Sequence, residues 1–180
     1  SLGARPVTGS PTAAALLSTG ATPPRARVKI PPPLLPTMTS YEAARAIHRL
    51  LLDRIELEKE GTLADIDSEF LHDFRVAVRR TRSALAQLPG VYDQEQYDRF
   101  KGEFKWLARA TGPTRDLDVL VIQLREYRSM LPKEQREGLD PLRSHAETRR
   151  QDAQRALAVA IRSDRCSRLL DDWRNLLDAP

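Results

Sequence analysis

From residue 39 onward the apolar side chains recur at three- and four-residue intervals, the period of an amphipathic helix. No alternating run bounded by turn residues reads as a strand. The stretch "SYEAARAIHRLLLDRIELEKEG" is predicted as a first helix, with Thr39 and Glu42 at capping-box spacing before it and Gly61 ending it. A second helix opens at Asp67 or Ser68 and runs to about Leu88, where Pro89 and Gly90 stop it. Asp93 and Gln96 cap a third, which runs to the "ATGP" at 110–113. The segment "TRDLDVLVIQLREYRSML" makes a fourth, ended by Pro132. A fifth spans about Pro141 to Arg162, and Ser163 begins a last one through Leu177. The fold class is therefore all-α: an antiparallel helical bundle of about five or six helices, antiparallel because the connections are short. Residues 1–36 hold 8 of the 13 prolines, so residues 1–38 are expected to be a Pro-rich extended or disordered linker. The bundle is expected over residues 39–178, and Arg25, Arg27 and Lys29 of the linker read as a solvated tail.

At about 100° per residue the second helix resolves into two sectors. Leu71, Phe74, Ala77, Val78, Thr81, Leu85 and Leu88 fill one arc, the predicted core face. His72, Arg75, Arg79 and Arg82 form an adjoining stripe, with Arg80 across from it beyond Val76. Guanidinium neighbours at that spacing repel by a few tenths of a kcal/mol per pair, so an isolated helix gains nothing from them. On the third helix Tyr97, Phe100, Phe104 and Leu107 make the apolar face, flanked by Lys101, Lys105 and Arg109. On the fifth, Leu142, Ala146, Ala153, Leu157, Ala160 and Ile161 define the buried arc, with Arg150 inside it and Arg149 and His145 beside it. A cation on a packing face needs an anion, because an unpaired buried charge is very costly. Asp73, Glu69, Asp116 and Asp118 could supply some of the counter-charge. Trp106 and Trp173 read as core residues.

Composition sharpens this picture. Of 29 basic residues 5 are Lys, leaving 24 Arg, yet the formal net charge is only +4. A GC-rich genome would raise Arg and Ala together, so the placement of the arginines carries the argument and their number does not. No apolar run approaches the roughly 20 residues that span a bilayer, and the Pro-studded opening residues do not read as a secretory signal. The single Cys166 forms no intramolecular disulfide, with the cytoplasm as the default compartment. His48, His72, His145 and Cys166 sit on different helices without ligand spacing, so neither a metal site nor a cofactor is expected. Asp116 and Asp118 fall in the first turn of the fourth helix, where its dipole favours carboxylates; one of them is expected to orient an arginine from a neighbouring helix.

"LHDFRVAVRRTRSAL", followed by "FKGEFKWLARATGPTRDLDVLVIQL", resembles the CHAD family of helical domains. His72, Arg75, Val76, Arg79, Arg80 and Arg82 match the first motif. Trp106, Leu107, Gly112, Arg115, Asp116, Asp118 and Val119 match the second. The resemblance covers roughly residues 39–178 and implies a module whose basic cavity binds inorganic polyphosphate without catalysis. The implied binding set is His72, Arg75, Arg79, Arg80, Arg82 and Arg115, extended by Lys101, Lys105, Arg109, Arg149 and Arg150 from the face analysis. It also implies a CYTH-type triphosphatase domain upstream, and association with cytoplasmic polyphosphate granules. A CHAD domain usually has two similar bundles; here only the first is visible, so a homodimer completing the cavity is one expectation and a half-domain the other.

Alternatives remain at this level. A phosphohydrolase or phosphotransfer enzyme would use His72 as acid or acceptor, but no acid–base pair, metal-ligating carboxylate cluster or Gly-rich phosphate loop accompanies it. Nucleic-acid binding is permitted by the charge but finds few exposed aromatics for stacking. A scaffolding role would need an exposed apolar stripe, and the pattern reveals none. His72 itself has a plainer reading as a neutral capping or core-edge residue. If instead it belongs to the stripe, a bound polyanion recruits the imidazolium as a further donor. Polyphosphate should then bind more tightly at about pH 6 than at about pH 8 in a fluorescence titration, and a flat profile would remove His72 from the site.

Overall fold

The computed structural model describes residues 34–179. The expected Pro-rich linker at 1–38 lies, up to residue 33, outside the described residues. These form helices without strands: α1 (Ser40–Leu63), α2 (Ser68–Gln87), α3 (Gln94–Ala110), α4 (Gly112–Met130), a one-turn α5 (Lys133–Arg136), α6 (Asp140–Arg162) and α7 (Asp164–Asp178). A 3-10 turn at Glu137–Leu139 joins α5 to α6. The six long helices are those the periodicity predicts; α5 and the 3-10 turn occupy what reads in sequence as a bare connection.

The caps act as their residue types require. Thr39 and Glu42 close a capping box at α1, the Glu42 carboxylate accepting from the Thr39 amide at 2.7 Å. Asp67 accepts from the Glu69 amide at 3.0 Å, Asp93 from the Gln96 amide at 2.8 Å, and Ser163 from the Cys166 amide at 3.3 Å. Each satisfies an amide that has no partner within its own helix.

One stop signal is misread by sequence. Gly61 does not end α1, which continues to Leu63. A Cβ at Gly61 would lie 1.8 Å from the nearest ring carbon of Phe70, so glycine is there for the close approach of α1 to α2. The turn comes later, at Asp65, whose φ of 52° is left-handed. Asp is among the few residues that tolerate this region.

The main core gathers Leu52 and Ile55 of α1, Leu71, Phe74, Ala77, Val78 and Leu85 of α2, Phe100, Phe104 and Leu107 of α3, Leu157 and Ile161 of α6, and the apolar face of α7. Trp173 is wholly buried at its centre, tilted against Phe100 at 4.6 Å and edge-on to Phe104 at 5.5 Å. A small second cluster, Val121, Leu124 and Ala146, joins α4 to the first half of α6. Leu142, expected in the buried arc of α6, is 50 % exposed. The helix reaches the main core only in its second half, so its opening turn has no layer to face. Fully burying a Leu or Phe is worth about 1.5–3 kcal/mol. Several such side chains on α2 outweigh the few tenths lost per arginine pair. Packing therefore decides where the basic stripe points.

His48 of α1 is completely buried, its Nδ1 2.8 Å from the Tyr92 hydroxyl and its ring edge-on to Trp173. Burial holds the imidazole neutral, lowering its pKa from 6.5 to about 4.

Two outcomes follow from this packing. Gly61→Ala should destabilise the protein by about 1–3 kcal/mol through overpacking, despite its better helix propensity. Denaturant titration of Gly61→Ala and of the Gly61→Ala/Phe70→Ala pair checks it, the two costs being less than additive if the ring is the obstacle. For His48, the unfolded chain takes up a proton near pH 6.5, which the folded chain refuses until about 4. Stability should therefore fall as pH drops through that window, by about 3 kcal/mol. The His48→Asn variant should lose this component of the pH slope, whatever its absolute stability.

Candidate functional site

Because α2 turns its apolar arc inward, the adjoining stripe comes to rest at the seam between α2 and the corner where α3 ends and α4 begins. His72, Arg75, Val76, Arg79 and Arg82 of α2, Ala108 and Thr111 of the corner, and Arg115 of α4 line a groove of about 300 Å³. Arg75 anchors it. Its Nη1 donates to the Ala108 carbonyl at 3.1 Å and to the Thr111 hydroxyl at 2.8 Å, and that hydroxyl in turn donates to the same carbonyl at 3.1 Å. Ala108 lies in the last turn of α3, where carbonyls lack helical partners and the dipole favours a cation.

The groove is electrostatically strained. Burial lowers the pKa of Arg75, and the Arg115 and Arg79 cations lower it further, against the opposing pull of Asp116. Arg75 thus feels cations of both its own helix and α4. Arg115 also sits in the opening turn of α4, the end whose dipole disfavours cations, and its Nη1 is buried without a hydrogen-bond partner. Among the described residues no ion pair joins Arg79, Arg82 or Arg115 to a carboxylate. Such an arrangement can accept an extended, multiply charged oxyanion: guanidinium forks match its oxygens, and each contact relieves repulsion already present.

The other cations named from sequence lie elsewhere. Arg80 is exposed and does not line the groove. Lys101, Lys105 and Arg109 are exposed along α3, with the Lys101 ammonium 4.9 Å from the Tyr97 ring centre. Arg149 is exposed on α6. Arg150, expected to await an anion, finds one within the chain: its Nε donates to Asp118 at 2.6 Å and its Nη1 to Asp65 at 2.7 Å. The Asp65 bonds foremost, then those to Asp118, raise its pKa. Asp118 thus orients an arginine from a neighbouring helix as expected, but not from the first turn: α4 already opens at Gly112 and no carboxylate lies in its first turn, so the ion pair and not the helix dipole holds Asp118. Asp73 is likewise engaged, by Arg54 at 2.7 Å, so neither carboxylate forms an ion pair with the stripe, although Asp118 also attracts Arg115.

Sequence reasoning missed a second arginine cluster. Arg125, Arg128, Arg136 and Arg143 border a cleft of about 430 Å³ around Ser129. Its charges are largely matched inside the chain: Arg128 meets Asp140 at 3.1 Å, while Arg143 and Arg125 meet Glu147 at 3.4 and 3.5 Å. Arg136 caps the end of α4 through the Leu131 and Ser129 carbonyls. The three- and four-residue spacing of Asp140, Arg143 and Glu147 was the available signal. Among the described residues no three His, Cys, Asp or Glu side chains gather to hold a metal ion. None of these helices is long and apolar enough to cross a membrane.

With this geometry in view, comparison with known proteins places the chain. It matches no functionally curated protein. Its fold is similar to the crystal structure of the CHAD domain from the plant Ricinus communis, with a TM-score of 0.63 and 29% sequence identity. That similarity covers 77% of this chain and 45% of the other, so the chain spans less than half the length of that structure. The family model for the CHAD domain matches residues 46–180. The Arg-bearing helix and the Trp-Leu to Asp-Val segment thus lie inside one matched domain, and the chain belongs to the CHAD domain family.

Proposed function

We propose that the chain binds inorganic polyphosphate in the groove between α2 and the α3–α4 corner, and that it acts as a binding module. The observation carrying this reading is the convergence of Arg75, Arg79, Arg82 and Arg115 with His72 on one trough, where Asp116 attracts Arg75 and Asp118 attracts Arg115 but, among the described residues, no carboxylate forms an ion pair with any of the four. Arginines elsewhere, such as Arg54, Arg150 and Arg165, each have a carboxylate partner. Polyphosphate carries charge at every phosphoryl unit and has no bases to read, so a row of guanidiniums is a sufficient recognition surface. A helical row presents a side chain about every 5 Å along its axis, a repeat such a polymer can follow. Displacement of counterions condensed on the polymer adds a salt-dependent driving force. Binding without turnover is the preferred reading because the groove lining sets His72 among arginines, a threonine and small apolar groups, with no carboxylate in the lining to serve as its acid–base partner. On this reading the protein associates with polyphosphate granules, and a CYTH-type triphosphatase is a fitting neighbour.

The test is titration with long-chain polyphosphate, pyrophosphate and RNA at two salt concentrations, with released phosphate assayed in parallel. Arg79→Ala and Arg82→Ala are the informative variants, because Arg75 also ties two helices together and Arg54 neutralises the buried Glu58. Each should weaken polyphosphate binding about tenfold and lower the salt slope by about one. Arg155→Ala, at an exposed surface pair, should change neither. Equal losses at all three sites, or preference for RNA, would refute a dedicated groove; phosphate release would favour the enzyme.

A further inference from the structure

The far end of α4 carries a second basic site, ~20 Å along the helix from Arg115 at 1.5 Å per residue. Arg125, Arg128 and Ser129 stand three and four residues apart on one side of the helix. The one-turn α5 then brings Arg136 back to them, and α6 contributes Arg143. These five residues line the cleft of about 430 Å³, and neither a carboxylate nor an apolar side chain lines it. The carboxylates that meet these arginines, Asp140 and Glu147, stand outside the lining and leave most of the donors unused. Arg128 spends its Nε on Asp140, and among the described residues neither of its Nη groups makes a hydrogen bond. Arg143 Nε is buried without a hydrogen bond, the Asp140 oxygen being 3.6 Å away. Arg125 has one loose contact, to Glu147 at 3.5 Å. A guanidinium offers five N–H donors, so the cleft holds a surplus of them.

We propose that this cleft is a separate binding site for a short, multiply charged phosphoryl anion of the pyrophosphate class. Four guanidiniums and one hydroxyl facing a common space match a compact oxyanion with several oxygens, each fork able to take two of them. The lining has nothing to grip an organic body, which favours a ligand that is mostly phosphate. Asp140 and Glu147 act from behind, holding the guanidiniums in place without occupying the space between them. Arg136 donates to the Leu131 and Ser129 carbonyls, so a cation covers the negative end of α4 that would otherwise repel an anion. The site also has a structural consequence. The apolar cluster joining α4 to the first half of α6 holds only Val121, Leu124 and Ala146. An anion bound by arginines of α4, α5 and α6 would fasten the three elements together, and a ligand that binds the folded chain alone stabilises it. None of this depends on what the α2 groove binds.

Calorimetric titration of pyrophosphate into the whole chain carrying Arg79→Ala and Arg82→Ala, with the groove thus disabled, tests this at fixed ionic strength. One pyrophosphate should bind per chain, and an excess of chloride should not displace it. Adding Arg125→Gln should weaken binding about tenfold while leaving the melting curve of the free chain unchanged, because Arg125 is exposed and loosely paired. Ser129→Glu places a carboxylate inside the cleft. It should abolish pyrophosphate binding and raise the melting temperature, although a glutamate in the last turn of a helix is ordinarily unfavourable. Long-chain polyphosphate in the same background separates the two sources of the ligand: binding in proportion to chain ends means that a terminal phosphoryl group also enters, and no binding means that the free anion alone does. The proposal is overturned if the groove-disabled chain binds no pyrophosphate, if Arg125→Gln changes nothing, if chloride competes equally, or if Ser129→Glu melts lower. None of those results touches the groove, whose own failure is a wild type that does not hold long-chain polyphosphate.

Discussion

The bond from the Arg75 guanidinium to the Ala108 carbonyl and the Thr111 hydroxyl is the contact on which the groove depends. It fastens the middle of the basic stripe to the C-terminal turn of α3, where a last-turn carbonyl and the negative end of a helix dipole both favour a cation. α4 begins immediately afterwards at Gly112, so its first turn emerges beside α2 and brings Arg115 toward the same trough. One arginine thus has a structural anchor, and its neighbours inherit their position from it. The arrangement stands because the apolar arc of α2 contributes several kcal/mol of burial, against repulsion worth tenths per pair.

Charge is distributed unequally over the molecule. Around Arg150, Arg54 and the Arg125–Arg143 cleft, carboxylates of the same chain meet the guanidiniums. Buried Asp118 shows what such pairing must overcome: desolvation pushes its pKa up while Arg150 pulls it down. Beside the groove, Asp73 of α2 pairs with Arg54 and Asp118 of α4 with Arg150, while Asp116 and Asp118 act on Arg75 and Arg115 without forming ion pairs with them.

α4 connects that electrostatic feature to shape. Its segment "DLDVLVIQL" carries apolar residues on more than one side of the helix. One side packs on α6; the other is open and leads to Arg115.

Local periodicity and capping chemistry were enough to read the six long helices, their starts at Thr39, Asp67, Asp93 and Ser163, the core face of α2 and the stripe of His72, Arg75, Arg79 and Arg82. These features depend on side chains within one or two turns of each other, which spacing along the chain encodes directly. What spacing could not encode was the meeting of different helices. Only the folded arrangement decides that Arg150 reaches Asp65 across 85 residues of chain, that Gly61 makes room for Phe70, that Leu142 faces outward, and that Arg115 joins α2 while Lys101, Lys105 and Arg109 remain outside the groove. The physical reason is that a helix fixes the directions of its own side chains, whereas crossing angles and close approaches between helices select which of those directions coincide.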